Sequence, residues 1–323
     1  MGYNESIDRE GEDTMRITPK MFADALELRL IGSSLGENVP SIEVPEINRP
    51  GLQFAGYFDV FACERPQLIG LAEMAYLNGL DPQTADERLH RFFTYSVPCV
   101  IIARGMECPD ALLRHAGQAG VPVYVTEQHT SAVAAKATLY LAEAFAPRET
   151  KHGVLMDVYG QGVLIMGESG IGKSECALEL LNHGHQLVAD DVVDVSRIGR
   201  DLFGEAPEMV RDLMELRGVG IVDIKKIFGI GAVEVRKHID LVISIDLWSP
   251  EKKYDRLGLT DKSITILGVT LPLMEIPVRP GRSLATIVEI AARSHSLRAE
   301  GYNAAEELDR RLRERYSSDM ETE

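Results

Sequence analysis

The sequence predicts an α/β fold in two parts, a small N-terminal α/β domain followed by a C-terminal P-loop domain. Three observations predict it. Apolar runs of strand length alternate with longer stretches of helical spacing along the chain. The stretch Gly167-Glu-Ser-Gly-Ile-Gly-Lys-Ser174 fits the phosphate-loop pattern G-x-x-x-x-G-K-[ST] without a gap. The polar, aperiodic Pro147-Arg-Glu-Thr150 divides the halves, giving domains at 15–147 and 148–323. Residues 1–14 carry five acidic side chains and one Arg, and read as a disordered acidic extension.

In the first half, Thr18-Pro19 starts a helix, with Thr as cap and Pro at the first helical position. Arg49-Pro-Gly51 marks a loop, and Pro66 to Tyr76 reads as one helix. Val97 to Ala103 and Val121 to Thr126 read as strands around a short helix, Asp110 to Gly117. Ser131 to Ala146 is a helix that His129-Thr130 would cap. This pattern predicts a mainly parallel sheet, and no metal spacing or nucleophile motif accompanies it.

In the second half, Gly153 to Tyr159 is a strand, Gly160-Gln-Gly162 a tight turn, and Val163 opens the strand entering the phosphate loop. Counting outward from Gln161 sets position 152 opposite position 170, so His152 is expected beside the loop. Glu175 to His183 reads as a helix stopped by Gly184. His185 to Asp191 is a short strand ending in two carboxylates. Later segments read as a strand from His238 to Asp246, an apolar strand-like run from Ile264 to Pro277, a helix capped by Ser283 and a charged terminal helix from Ala304 to Tyr316.

Composition narrows the function classes. The chain has 323 residues, 45% hydrophobic and 26% charged, as ordinary water-soluble globular proteins do. Against 50 Asp and Glu stand 34 Lys and Arg, a net charge of −16, which argues against nucleic acid or an anionic membrane as partner. The four cysteines form no C-x-x-C pair and read as reduced, mostly buried thiols of a cytoplasmic protein. The N-terminus lacks an apolar signal core, and no apolar run has membrane-spanning length. Gly2 and Ser6 match the short myristoylation pattern, with nothing else pointing to a membrane.

The chemistry centres on the loop. The glycines Gly167, Gly170 and Gly172 let backbone N–H groups of Glu168, Ser169 and Ile171 crowd round phosphate oxygens, where the helix dipole favours negative charge. Lys173 would reach the β- and γ-phosphates and Ser174 would ligate magnesium, making a nucleoside triphosphate the expected ligand. Asp190 and Asp191 sit where metal-binding or general-base groups belong. Neighbours on an extended chain point to opposite sides, so only one of them need face the phosphate. Asp190 follows Lys173 unusually soon for a P-loop protein. Met214-Glu-Leu-Arg-Gly-Val-Gly220 suggests a loop approaching a ligand, with Glu215 a candidate magnesium ligand and Arg217 beside it; a surface turn explains it equally well. Arg256 suits transferred phosphate, although an ion-paired surface arginine explains that residue better on its own. Arg279 and Arg282 flank Pro-Gly in a basic turn that either docks an anion or is simply solvated.

His152-Gly, GESGIGKS, Ala189-Asp-Asp191, MELRGVGIVDI, YDRLGL and VRPGR together resemble bacterial HPr kinase/phosphorylase, over residues 15 to 316. The resemblance implies a bifunctional enzyme of carbon-catabolite control. Such an enzyme phosphorylates a serine of HPr, a small phosphocarrier protein, with ATP and Mg2+. It removes that phosphate with inorganic phosphate, releasing pyrophosphate. It further implies His152, Lys173 and Arg256 as active-site residues, Asp191 as the proton acceptor that becomes donor in reverse, and Ser174 and Glu215 at magnesium. Residues 214–223 match a stretch needed for both reactions and 277–282 one linked to dephosphorylation. A nucleotide site similar to that of phosphoenolpyruvate carboxykinase and a homohexamer are implied as well. Two rivals remain at this point: a P-loop kinase of a small molecule, and a nucleotide-gated sensor module.

Overall fold

The computed structural model describes residues 16–32, 39–249, 251, 262–278 and 283–320. The chain forms two compact units, Met1–Ala146 and Pro147–Glu323.

The first unit is built on helices α1 (Pro19–Leu26), α2 (Gly51–Phe54), α3 (Leu71–Gly79), α4 (Pro82–Phe92), α5 (Asp110–Ala119) and α6 (Thr130–Ala144). Its strands are β1 (Arg29–Leu30), β2 (Gln67–Ile69), β3 (Val100–Ile102) and β4 (Val123–Val125), in the order β1-β4-β3-β2. β2, β3 and β4 are parallel and β1 runs antiparallel to β4. The side-chain period of two sorts the buried residues onto two faces. Leu68, Ile101 and Tyr124 join Phe22, Leu26, Val133 and Leu141 in one cluster. Ile69, Val100, Ile102 and Val123 join Phe54, Leu89, Phe92 and Leu112 in the other. Burial on both faces explains why these strands read as unbroken apolar runs.

Thr18 caps α1 as expected, its hydroxyl accepting the Met21 N–H at 3.2 Å. The single helix expected from Pro66 to Tyr76 is instead β2, a break at Gly70, and α3. The backbone of Gln67 pairs with β3, and the Gly70 N–H donates to Glu73 Oε2 at 3.0 Å, starting the helix there. Gly51, expected in a loop, opens α2. His129 occupies the cap position of α6, but its ring makes no capping bond. The helix α4, missed in the sequence, carried the same signal as α1: Asp81 caps it by accepting the Thr84 N–H at 3.0 Å, and Pro82 follows.

Glu73 gives this unit an acid-sensitive anchor. Burial pushes its carboxyl up, but bonds from Arg49 and the Gly70 N–H outweigh that and hold it below its ordinary 4.5. A depressed folded-state value stabilises the unit above the unfolded value, and that contribution disappears as pH falls through the folded one. Glu73→Gln should therefore flatten the acid limb of a plot of stability against pH below 4.5, measured by denaturant midpoints.

The second unit contains β5 (Arg148–His152), β6 (Val154–Val158), β7 (Gln161–Gly167), α7 (Lys173–Asn182), β8 (Gln186–Ala189), β9 (Val192–Ile198), β10 (Asp201–Glu205), β11 (Leu213–Leu216), β12 (Gly220–Asp223), α8 (Ile224–Phe228), β13 (Arg236–His238), β14 (Leu241–Leu247), β15 (Lys262–Ile266), β16 (Val269–Val278), α9 (Leu284–Ala299) and α10 (Ala304–Met320). A mixed sheet of order β15-β16-β14-β7-β6-β8 lies between two other layers. Val163, Ile165, Ile243 and Ile245 pack with Ala177 and Leu180 of α7 and Val288 and Ala292 of α9. The opposite face, with Leu155, Leu164 and Val242, packs on Val193, Val195 and Leu202 of a second sheet, β13-β10-β9-β5. Each fully buried aliphatic side chain here contributes roughly 1.5–3 kcal/mol.

Two strand expectations need correction. The run from His238 to Asp246 divides between two sheets, because Asp240 turns the chain: its carboxylate accepts the Gly162 N–H at 2.7 Å and bonds His238 Nδ1 at 2.8 Å. The run from Ile264 to Pro277 is a hairpin, β15–β16, turning at Leu267 and Gly268, both at positive φ. Ser283 caps α9 as expected, accepting the Thr286 N–H at 3.2 Å, and also donates to Glu179 of α7 at 2.7 Å. Just past the C-terminal end of α7, Glu289 of α9 bonds His185 at 3.0 Å and lies 3.3 Å from His183. Of the cysteines, Cys99 and Cys176 are buried, Cys63 and Cys108 half-buried, and all four are free thiols. Among the described residues, no helix is long and apolar enough to cross a membrane.

Candidate active site

β7 is a central strand, paired on both sides, and delivers the phosphate loop from its end. Glu168, Ser169 and Gly170 are exposed there, while Ile171 packs against the core. Gly172, at φ 102°, precedes α7, so the first N–H groups of the helix open toward the loop. Lys173 Nζ folds back, donating to the carbonyls of Gly167 at 2.9 Å and Glu168 at 3.1 Å.

The two carboxylates part company. Asp190 keeps only 8% of its surface, accepts the Ser174 hydroxyl at 2.9 Å and accepts the Glu215 backbone N–H at 3.3 Å. Burial pushes its carboxyl above the ordinary value, with the Ser174 bond pulling the other way. Asp191 is exposed and sits at φ 65°, a left-handed conformation uncommon outside glycine. A bond from the Val192 N–H to the Asp190 carbonyl at 2.8 Å closes a three-residue turn around it. The Gly153 N–H donates to the Asp191 carbonyl at 3.0 Å.

The β11–β12 hairpin pairs Glu215 with Ile221 and Leu216 with Gly220. It lays the Arg217 guanidinium on the phosphate loop, so close that a Cβ at Gly170 would stand 2.9 Å from its nitrogens. Glu215 reaches Asp190 through its backbone, and the residue itself is exposed.

His152 arrives by a different route from the one expected. The β6–β7 turn is Tyr159-Gly160, at φ 56° and 83°, the type I′ signature, and Val158 pairs with Gln161. The register counted from Gln161 is therefore wrong. The chain also leaves that sheet at Gly153, and β5 pairs His152 with Val192, beside the carboxylates. Arg256, Arg279 and Arg282, with the acidic extension, lie outside the described residues.

This donor set suits a hard cation. A hydroxyl, a buried carboxylate whose charge is disfavoured, and a nearby Glu are all oxygen ligands. Among the described residues no group of three or more His, Cys, Asp and Glu would hold a metal alone. Phosphate oxygens and waters would complete the shell, as Mg2+ prefers.

Two family models match the chain: "HPr Serine kinase N terminus" over residues 17–141 and "HPr Serine kinase C-terminal domain" over residues 143–312. The chain belongs to the HPr serine kinase family. The HPr kinase/phosphorylase of Alkaliphilus metalliredigens is 48% identical over 84% of this chain and 88% of its own length. That of Caldicellulosiruptor bescii is 44% identical over 90% and 94%. A solved structure, the Hpr(Ser) kinase/phosphatase from Coxiella burnetii, is 37% identical and aligns over 50% of this chain and 98% of its own, with a TM-score of 0.45. As a member of the HPr kinase/phosphorylase family the chain is an enzyme, and the N-terminal and C-terminal family matches cover most of the first and second unit respectively.

Sequence reasoning passed over Gly153, which the structure places between β7 and the carboxylate turn. Its only signal was a glycine directly after His152. It also left open how Asp190 and Asp191 differ, since alternation along a strand does not say which side is buried.

Proposed function

We propose that this enzyme transfers the γ-phosphate of ATP to a serine of HPr, and reverses the modification with inorganic phosphate to release pyrophosphate. The observation that supports this best is the division between the two carboxylates: one buried on the hydroxyl of the phosphate loop, the other exposed on a tight turn beside it. A pure nucleotide-binding module has no use for the second.

The residues divide the work as follows. Backbone N–H groups of 167–174 hold the phosphates. Lys173 exchanges its two carbonyl partners for β- and γ-phosphate oxygens. Ser174 and Asp190, with Glu215, would hold Mg2+, which when bound offsets charge on the phosphates. Asp191 accepts the seryl proton as that oxygen bonds the γ-phosphorus and the bond to the ADP oxygen breaks. In reverse, an oxygen of inorganic phosphate attacks the phosphorus of the phosphoserine, and protonated Asp191 returns a proton to the departing seryl oxygen, leaving pyrophosphate. Arg217, already at the loop, and Arg256 neutralise charge on the group in flight. His152 lines the same site. Arg279 and Arg282 serve the dephosphorylation direction. We further assign the functional domains to 15–147 and 148–323, a cytoplasmic location, a homohexamer, and a role in carbon-catabolite control.

The test is to incubate the protein with γ-labelled ATP, Mg2+ and purified HPr. Acid-stable label should appear on a serine of HPr, and added phosphate should discharge it as pyrophosphate. Label on a small hydroxyl compound alone, or on nothing, would overturn the reading.

A further inference from the structure

Gly153 stands between the strand feeding the phosphate loop, β7, and the turn that presents Asp191. Its N–H holds the Asp191 carbonyl at 3.0 Å. Its α-carbon faces the backbone of β7 so closely that a Cβ would lie 2.7 Å from the Ile165 carbonyl oxygen and 3.4 Å from Leu164 Cδ1. Ile165 is two residues before Gly167, and it is locked between β6 and β14. The backbone of β7 therefore cannot give way. Gly153 has no positive φ to demand glycine, unlike the loop glycines; closeness alone demands it. The chain on either side has separate commitments, since His152 pairs with β9 and Val154 with β7, so Gly153 is the joint between the two sheets.

We propose that Gly153 is a positioning residue for phosphoryl transfer, setting the distance between the phosphate loop and the Asp191 carboxylate. A methyl group at 153 has one direction to go, away from Ile165, and the bonded Asp191 turn goes with it. The turn is vulnerable because its left-handed residue is not a glycine and depends on its two backbone bonds, from Val192 to Asp190 and from Gly153 to Asp191. A displacement below 1 Å suffices, since reacting groups tolerate little misplacement.

This inference rests on Asp191 being the proton acceptor, and the test separates the two claims. Gly153→Ala should lower kcat for HPr phosphorylation roughly 10²-fold, with KM for ATP nearly unchanged because the loop itself stays in place. Asp191→Glu, one methylene longer, should harm the wild type but partly rescue Gly153→Ala, by reaching back across the gap. A purely structural defect would leave the two substitutions additive. Unchanged kcat in Gly153→Ala, or strict additivity, overturns the positioning role, while an inactive Asp191→Asn would still uphold the proton acceptor. If Gly153→Ala does not fold, hydrogen exchange on wild-type protein labelled with nitrogen-15 glycine decides: a Gly153 amide as protected as those of β6 supports the tether, and a rapidly exchanging one overturns it.

Discussion

Asp191→Asn should stop phosphoryl transfer in both directions and leave ATP bound. Asn tolerates the left-handed conformation that Asp191 adopts at φ 65°, so the turn and its bonds to Val192 and Gly153 survive. The variant loses only the ability to take up a proton. A seryl hydroxyl is a poor nucleophile, and a positioned base is worth about 10²–10⁴ in rate, so kcat should drop by at least the lower figure. ATP affinity, measured by calorimetry, should stay within about twofold, because the proposed site holds the phosphates with the loop, Lys173 and Ser174 rather than with Asp191. Truncation at the other carboxylate, Asp190→Ala, would strip the Ser174 hydroxyl and the Glu215 N–H of their acceptor and should change the dependence on Mg2+. Near-normal kinase rates in Asp191→Asn would mean that another group removes the proton.

The largest loss of stability is expected at the end of β7 opposite the phosphate loop. A Cβ at Gly162 would fall 1.7 Å from the carbonyl oxygen of His238, and that partner is backbone. The contact cannot relax by turning a side chain. The same residue donates its N–H to Asp240 at 2.7 Å, and its carbonyl accepts the Asp240 N–H at 2.8 Å. These bonds fasten β7 to the corner between β13 and β14. Overpacking in a core costs about 1–3 kcal/mol and occasionally more, and this site belongs in the upper range. Gly162→Ala should therefore lower the melting temperature of the second unit by roughly 6–12 °C for a loss of about 3 kcal/mol. A shift below about 2 °C would show that β7 and the Asp240 corner separate more easily than their bonding implies.

Much of this was legible because local chemistry set it. The phosphate loop, Thr18 and Ser283 as caps, and the apolar strands of both units each follow from residues a few positions apart. What escaped depended on distant partners. Gln67 enters a strand because β3 lies beside it, although its own neighbours read as a helix. Asp240 bends the chain because Gly162 offers an N–H, and nothing near Asp240 in sequence announces that. His152 was expected beside the phosphate loop, carried there on the hairpin strand; the chain instead leaves that sheet at Gly153 and pairs His152 with Val192, and the register itself slipped because a turn can be centred one or two residues from where its glycines suggest. The separate natures of Asp190 and Asp191 follow from Ser174 and Glu215 claiming the first.

The Lys173 ammonium is bound to the Gly167 and Glu168 carbonyls. In the proposed phosphate-binding role, capture of a polyphosphate would be a substitution, in which two charge-assisted hydrogen bonds, each worth about 1.5–3 kcal/mol, are surrendered as new ones form. A ligand offering one oxygen barely recovers that outlay, whereas adjacent β- and γ-phosphates recover it with excess. In the proposed phosphate site, a cation already held by two carbonyls would favour polyphosphates over weak single anions.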